Sequence, residues 1–190
     1  MKKIITIFCL LIICLFVNSI CTVLAKEKDE IIPLAVGNEW TYAGTLVINK
    51  DTTLKMEIIG DTLIKDEMWF IMNDGFQNSL VKNDEKGLWI SQKYELIEEL
   101  YPIILLHYPV NVGDKFKADG ETVIINSLNK EVEVPAGKFK CILYEINSEY
   151  DNIKIYATPG IGIIKMINKN LNEKESGRED FIELKSYKLK

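Results

Sequence analysis

Pro33-Leu-Ala-Val-Gly-Asn-Glu-Trp-Thr-Tyr42, running on into Leu54-Lys-Met-Glu-Ile-Ile59, is the stretch from which the fold can be read. It returns 76 residues later as Pro109-Val-Asn-Val-Gly-Asp-Lys-Phe116. The ungapped match holds seven identities in the 25 positions from residue 33 to 57: Pro33/Pro109, Val36/Val112, Gly37/Gly113, Gly44/Gly120, Val47/Val123, Ile48/Ile124 and Glu57/Glu133. Each copy has a Pro that enforces an extended approach, a Gly able to take positive φ, an Asn or Asp that can bond nearby backbone, and an aromatic that opens a strand. These parts start a β-hairpin. They supply no reactive group, so fold is legible here and chemistry is not.

The N-terminus carries Lys2 and Lys3, an apolar run from Ile4 to Val17, and a more polar end closing in Val23-Leu24-Ala25. That is the order of an export signal, with cleavage expected after Ala25. Two other readings stay open. Cys21 would be the lipidated residue of a lipoprotein, although Ile20 stands before it where a small residue is wanted; residues 4–24 would otherwise serve as an uncleaved anchor. All three place residues 26–190 outside the cytoplasmic membrane, with the N-terminal segment as the chain's only membrane contact.

Without residues 1–25 the chain has 21 basic and 28 acidic side chains, a net charge of −7. Nucleic acid is not an expected partner of so acidic a protein. Cys9, Cys14 and Cys21 fall in the leader, so Cys141 is the lone thiol of the remainder and has no internal disulfide partner. Residues 26–190 are the size of one ordinary domain whose stability must come from its core.

Lys26 to Glu30 reads as a mobile charged tail. After it, Trp40 and Tyr42 alternate with Glu39 and Thr41, and Leu54, Met56 and Ile58 alternate with Lys55 and Glu57. Both patterns fit half-buried strands. Met68 to Met72 is apolar on both faces and fits a central or covered strand. Asn73-Asp74-Gly75 and Asn83-Asp84-Glu85-Lys86-Gly87 turn the chain before and after a strand at Gln77 to Lys82, and Leu88-Trp89-Ile90 follows. Residues 94–110 combine helix-like spacing near Leu96 and Leu100 with an apolar run between Pro102 and Pro109, an edge strand or covering loop across one end of the sheet.

Further strands are expected at Glu121 to Asn126, Glu131 to Val134, Phe139 to Ile146, Lys154 to Ala157, Ile163 to Ile167 and Phe181 to Leu189. The last changes phase between Leu184 and Tyr187, the mark of a bulge. Thr158-Pro159-Gly160-Ile161 suits a type II turn. The expectation is an all-β fold, or β with one short helix: a single curved antiparallel sheet of ten or eleven strands, half-barrel or barrel-like.

Three phrases, Pro33-Leu-Ala-Val-Gly-Asn-Glu-Trp-Thr-Tyr, Val134-Pro-Ala-Gly-Lys-Phe-Lys-Cys and Tyr156-Ala-Thr-Pro-Gly-Ile-Gly-Ile-Ile-Lys, resemble a broad group of uncharacterised bacterial secreted proteins and lipoproteins. The resemblance covers most of residues 33–166. It implies a curved antiparallel sheet akin to the half-barrel of periplasmic lipoprotein carriers, and brings no catalytic residues. Lipoprotein members carry a clean lipobox, which Cys21 lacks.

His107 is the only histidine, too few for a zinc site with Cys141. A Cys–His catalytic pair would need Cys141 exposed with a lowered pKa, whereas Phe139-Lys-Cys141-Ile-Leu143 places it as a small buried hydrophobe. Glu95, Glu98 and Glu99 form the densest acidic group and fit a solvated face rather than a glycosidase pair. Asp114, Asp119 and Glu121 lack calcium-loop spacing, and the glycines of Pro159-Gly160-Ile161-Gly162 are hairpin glycines rather than a phosphate loop.

No catalytic residue, metal or cofactor is therefore expected. Trp40, Trp69, Trp89, Tyr144 and Tyr156 are the candidate ligand-binding residues, since a concave sheet could gather them around a lipid, peptide or glycan. Core packing is the commoner role of such aromatics. The leading expectation is an exported non-catalytic β protein that binds an apolar or amphiphilic ligand or a cell-envelope partner. The alternatives are a solid interaction module with an open strand edge and, third, an envelope hydrolase.

Overall fold

The structure, a computed structural model, describes residues 30–45, 53–92, 100–171 and 179–190. The leader with Cys21, the rest of the charged tail and the Glu95, Glu98 and Glu99 group lie outside the described residues. Twelve strands follow in chain order: β1 (Glu39–Gly44), β2 (Leu54–Ile64), β3 (Glu67–Asn73), β4 (Asn78–Asp84), β5 (Gly87–Gln92), β6 (Ile103–His107), β7 (Lys115–Ala118), β8 (Glu121–Val134), β9 (Gly137–Asn147), β10 (Asp151–Thr158), β11 (Gly162–Asn170) and β12 (Glu179–Lys188). They form one antiparallel sheet in the order β6-β5-β4-β3-β2-β1-β12-β11-β10-β9-β8-β7, curled nearly into a barrel.

Every neighbour in that order is consecutive in sequence except β1 and β12. The sheet is thus two six-stranded meanders joined where the first strand pairs with the last. Trp40 stands opposite Tyr187 and Gly44 opposite Ile182, with a register shift that leaves Lys185 unpaired. This is the bulge that the phase change in the last strand requires.

The sequence repeat marks the start of each meander. Gly37 and Gly113 take φ of 91° and 89°, which a residue with a Cβ adopts only at a cost. The turn closes through Asn38 N–H to the Ala35 carbonyl in one copy (3.0 Å) and Asp114 N–H to the Asn111 carbonyl in the other (3.2 Å). Each turn then docks on the neighbouring strand. Gly37 N–H and the Asn38 carbonyl bond the backbone of Ile58, and Gly113 N–H and the Asp114 carbonyl bond that of Ile125.

Asn38 is buried and does more than close a turn. Its amide donates to the Pro33 carbonyl (2.9 Å) and its oxygen accepts from Lys190 N–H (2.9 Å), tying together both ends of the described chain. Glu30, expected to belong to a mobile tail, is instead anchored. The Glu30 carbonyl accepts from Gly160 N–H, Asn83 donates to the Ile32 carbonyl, and Ile31 and Ile32 are buried. Residues 30–32 thus bridge the β4–β5 and β10–β11 hairpins, a contact no local pattern announces.

The strand count differs from expectation at two places. Glu121 to Val134 is one long strand rather than two, because register shifts near Ser127 bend it without ending it. Lys115 to Ala118 is a short strand of its own. Ile103 to His107 is the edge strand paired with β5, and Thr158 to Ile161 forms the expected turn, with Gly160 at φ 77°.

The core is filled by Trp40, Tyr42, Ile58, Val81, Leu106, Ile125, Tyr144, Ile164 and Leu184 among others. Fully burying one such side chain is worth about 1.5–3 kcal/mol. The indole of Trp40 donates to the Ile161 carbonyl (2.7 Å) and the Tyr42 hydroxyl to that of Ile163 (3.0 Å). Both reach past β12 to the start of β11, so the junction between the meanders is held by side chains as well as by its ladder.

The opposite junction is held by side chains. His107 at the end of β6 stacks on Phe116 of β7, with ring centroids 4.1 Å apart, and the Tyr144 hydroxyl donates to the His107 carbonyl (2.8 Å). The imidazole is held below the usual histidine value first by burial and then by Lys86, against opposing pulls from Asp84 and Asp114. The unfolded chain therefore protonates at higher pH than the folded one. Stability contributed by neutral His107 is fully present above about pH 6.5 and is lost as the pH falls toward the folded value. Urea unfolding of the native chain should accordingly weaken below about pH 6.5, with a flatter profile for His107→Leu; equal slopes for the two would assign the effect elsewhere.

Candidate functional site

Alternation along a strand separates the two faces of the sheet. On β3 and β4, Phe70 pairs with Val81, and Val81 is part of the core. One step along, Trp69 and Lys82 therefore lie on the outer face. The pairs Thr62–Trp69 and Lys82–Trp89 extend this into a row across β2 to β5. The parallel row Gly60–Ile71–Leu80–Ser91 lies beside it. This explains the apolar character of Met68 to Met72 on both sides: Met72 faces the core, while Trp69 is buried on the outer face.

The ammonium of Lys82 lies 4.9 Å from the centroid of the Trp69 ring and 2.6 Å from the Glu67 carboxylate. Trp69 is 2% exposed and its indole N–H has no hydrogen-bond partner; Ser91, also 2% exposed, has an unpartnered hydroxyl. Burying such a group without a partner costs about 1–3 kcal/mol. At the end of the same hairpin, burial raises the Asp84 pKa, but the nearby Trp89 indole, whose N–H still lacks a hydrogen-bond partner, and the backbone N–H groups of Lys86 and Gly87 outweigh it and hold the carboxyl below its ordinary value.

A cleft of about 290 Å³ crosses this face from Thr62 and Ile64 over Ile71 to Asn78, Ser79 and Leu80. Thr62 is the cross-strand partner of Trp69, and Leu80 that of Ser91. Trp69 Nε1 and Ser91 Oγ thus sit on residues directly beside the cleft lining, and the likewise unpartnered Trp89 Nε1 lies further along the Trp69–Lys82 row. Its walls are apolar along Ile64, Ile71 and Leu80 and polar at Thr62 and Asn78; Ser79 also borders it, but stands opposite Met72 with its side chain toward the core face. A second cleft of about 370 Å³ lies at the tip of the β8–β9 hairpin. Four of its six lining residues are charged (Glu131, Glu133, Lys138, Lys140), and Lys138 pairs with Glu133 at 3.2 Å.

The five candidate aromatics do not converge on one surface. Trp40 and Tyr144 are in the filled interior, each bonded to a backbone carbonyl. Burial pushes the Tyr144 phenol well above its ordinary value, and Tyr108 adds to the shift. Trp69 and Trp89 share the outer row with Lys82 between them. Tyr156 lies on another part of the sheet, paired with Leu143 and Lys165, its phenol raised first by burial and then by Glu145 and Glu179. Lys82, Ser91, Ile71 and Thr62 were not singled out by sequence. The signal that could have found them is the two-sided apolarity of β3 read together with its partner strands.

Cys141 is buried, its sulfur 3.5 Å from the Thr158 hydroxyl. Burial pushes its thiol up, partly offset by that hydrogen bond. His107 is engaged in the Phe116 stack. Among the described residues no group of three or more His, Cys, Asp or Glu is placed to hold a metal.

No family model matches the chain, and no curated protein matches it either. Two solved structures resemble it. One is a proposed lipoprotein of Parabacteroides distasonis, 12% identical, covering 86% of this chain and 100% of its own, with a TM-score of 0.51. The other is a proposed exported protein with a YmcC-like fold from Bacteroides fragilis, 15% identical, covering 83% and 98%, also with a TM-score of 0.51. At such identities the likeness is one of fold.

The contrast between bonded and unbonded polar atoms is measurable. Tyr144→Phe should cost about 1 kcal/mol in urea unfolding, since it removes a made hydrogen bond. Ser91→Ala should be neutral or stabilising by up to about 1 kcal/mol, since it removes an unmade one. A loss at Ser91 equal to that at Tyr144 would mean that the hydroxyl is satisfied.

Proposed function

We propose that this is an exported, non-catalytic β protein of the cell envelope that binds an amphiphilic ligand in the outer-face cleft of β2 to β4. The export-type N-terminus supports the compartment, and the fold shared with a proposed lipoprotein and a proposed exported protein agrees with it. The observation that carries the reading is the cleft of about 290 Å³, apolar along Ile64, Ile71 and Leu80, flanked by polar side chains and by two buried groups that lack partners. Small-molecule sites are commonly apolar concavities with a few polar groups that fix orientation. The concave face, by contrast, is occupied by its own side chains.

A second reading, a module that pairs strands with an envelope partner, draws on β6 and β7, the two ends of the sheet. Edge strands offer backbone groups to an added strand. The His107–Phe116 stack stands across that opening and would have to part first.

The test is native mass spectrometry of the purified exported protein, followed by titration with a fluorescent single-chain lipid. Binding should be saturable and one to one. Ile71→Glu, which puts a charge in the cleft wall, should weaken it about tenfold or more, because burying an unpaired charge is costly. Unchanged affinity in a folded Ile71→Glu chain would move the site away from this cleft.

A further inference from the structure

Resting on that reading, we propose that the ligand is a single-chain amphiphile with an anionic, acceptor-rich head, and that Lys82, Trp69 and Ser91 form the head-binding group. Trp69 on β3 and Lys82 on β4 stand side by side, and Ser91 on β5 lies diagonally across from Lys82, opposite Leu80 in the next row: an indole N–H, an ammonium and a hydroxyl. Neighbouring strands are about 4.7–4.9 Å apart, so Trp69 and Lys82 can meet one small head directly, while Ser91, two strands or about 10 Å across from Trp69, reaches it from the far side. The indole is a donor only and the ammonium carries no acceptor, so the pair selects oxygen acceptors and negative charge. Trp69 N–H and Ser91 Oγ are buried and unpartnered, the state expected of groups kept for a ligand rather than for the fold.

The arrangement also has a counter-ion that can be exchanged. Lys82 lies over the Trp69 ring and bonds Glu67 at 2.6 Å; its side chain is 17% exposed and that of Glu67 58%. A carboxylate or phosphate that replaces Glu67 as the partner of Lys82 draws the ammonium off the ring and opens the indole N–H to the same head. The released Glu67 turns to water. The acyl chain then lies along Leu80, Ile71 and Ile64, on the side of the row that the cleft occupies. No bond is made or broken in this exchange.

The experiment titrates the purified exported protein with three probes of one acyl length, a fatty acid, a lysophosphatidic acid and a neutral monoacylglycerol, observing the tryptophan indole N–H signals by NMR. Both anionic probes should bind at least about tenfold tighter than the neutral one, the worth of one charge-assisted hydrogen bond. The Trp69 N–H signal should shift with the anions. Whichever anion binds more tightly identifies the head as carboxylate or phosphate. Lys82→Met should remove about tenfold from anion affinity and leave the neutral probe unchanged, Lys82→Arg should restore it, and Ser91→Ala should weaken anions while leaving the fold intact. Equal affinity for all three probes, unaffected by Lys82→Met, would overturn the head assignment and keep the cleft. Failure of every probe to bind would overturn the cleft itself.

Discussion

The pairing of the first strand with the last is the constraint on which the rest of this molecule depends. A meander of twelve strands has two free edges, and an open antiparallel sheet exposes a face that water must cover. Here the edges left by sequence order are moved to β6 and β7, in the middle of the chain, because Glu39 to Gly44 bonds Ile182 to Lys188. That closure brings Trp40 and Tyr42 within reach of the Ile161 and Ile163 carbonyls, and Asn38 within reach of Lys190. The interior can then be filled from both meanders at once.

The two junctions between meanders sit at equivalent places and are made differently. One is a ladder reinforced by aromatic donors; the other relies on a ring stack and a tyrosine hydroxyl at its edge. The repeated turn explains the likeness, since each meander begins with a glycine at positive φ docked on an isoleucine backbone. The strand that follows explains the difference. β1 has six residues and carries Trp40 and Tyr42 inward, whereas β7 has four and carries Phe116 and the small Ala118 to the core.

Much of this was legible. Alternation located the hairpins, Asp-Gly and Pro-Gly located turns, and the phase change near Lys185 located a bulge, because each is a local property of the chain. The repeat at Pro33 and Pro109 correctly marked the two starts. What local patterning could not show was anything decided by a distant partner: that residues 30–32 bridge two hairpins, that Glu121 to Val134 bends without turning, or which aromatics face inward. Trp40 and Trp69 read alike as strand tryptophans, yet one donates to a carbonyl in the core and the other is buried unbonded on the opposite face. The candidate site followed the same rule. Its tryptophans were visible in sequence, but Lys82 and Ser91 acquire meaning only from the register of β3, β4 and β5.

Amide hydrogen exchange, read residue by residue, tests the closure most directly, because protection reports the free energy of the opening that exposes each bond. Amides that bond β1 to β12 should exchange only with global unfolding, while those of β6 and β7 exchange through a local opening at lower free energy. Uniform protection around the sheet, or early exchange of β1 and β12, would contradict the account and place the weak junction elsewhere.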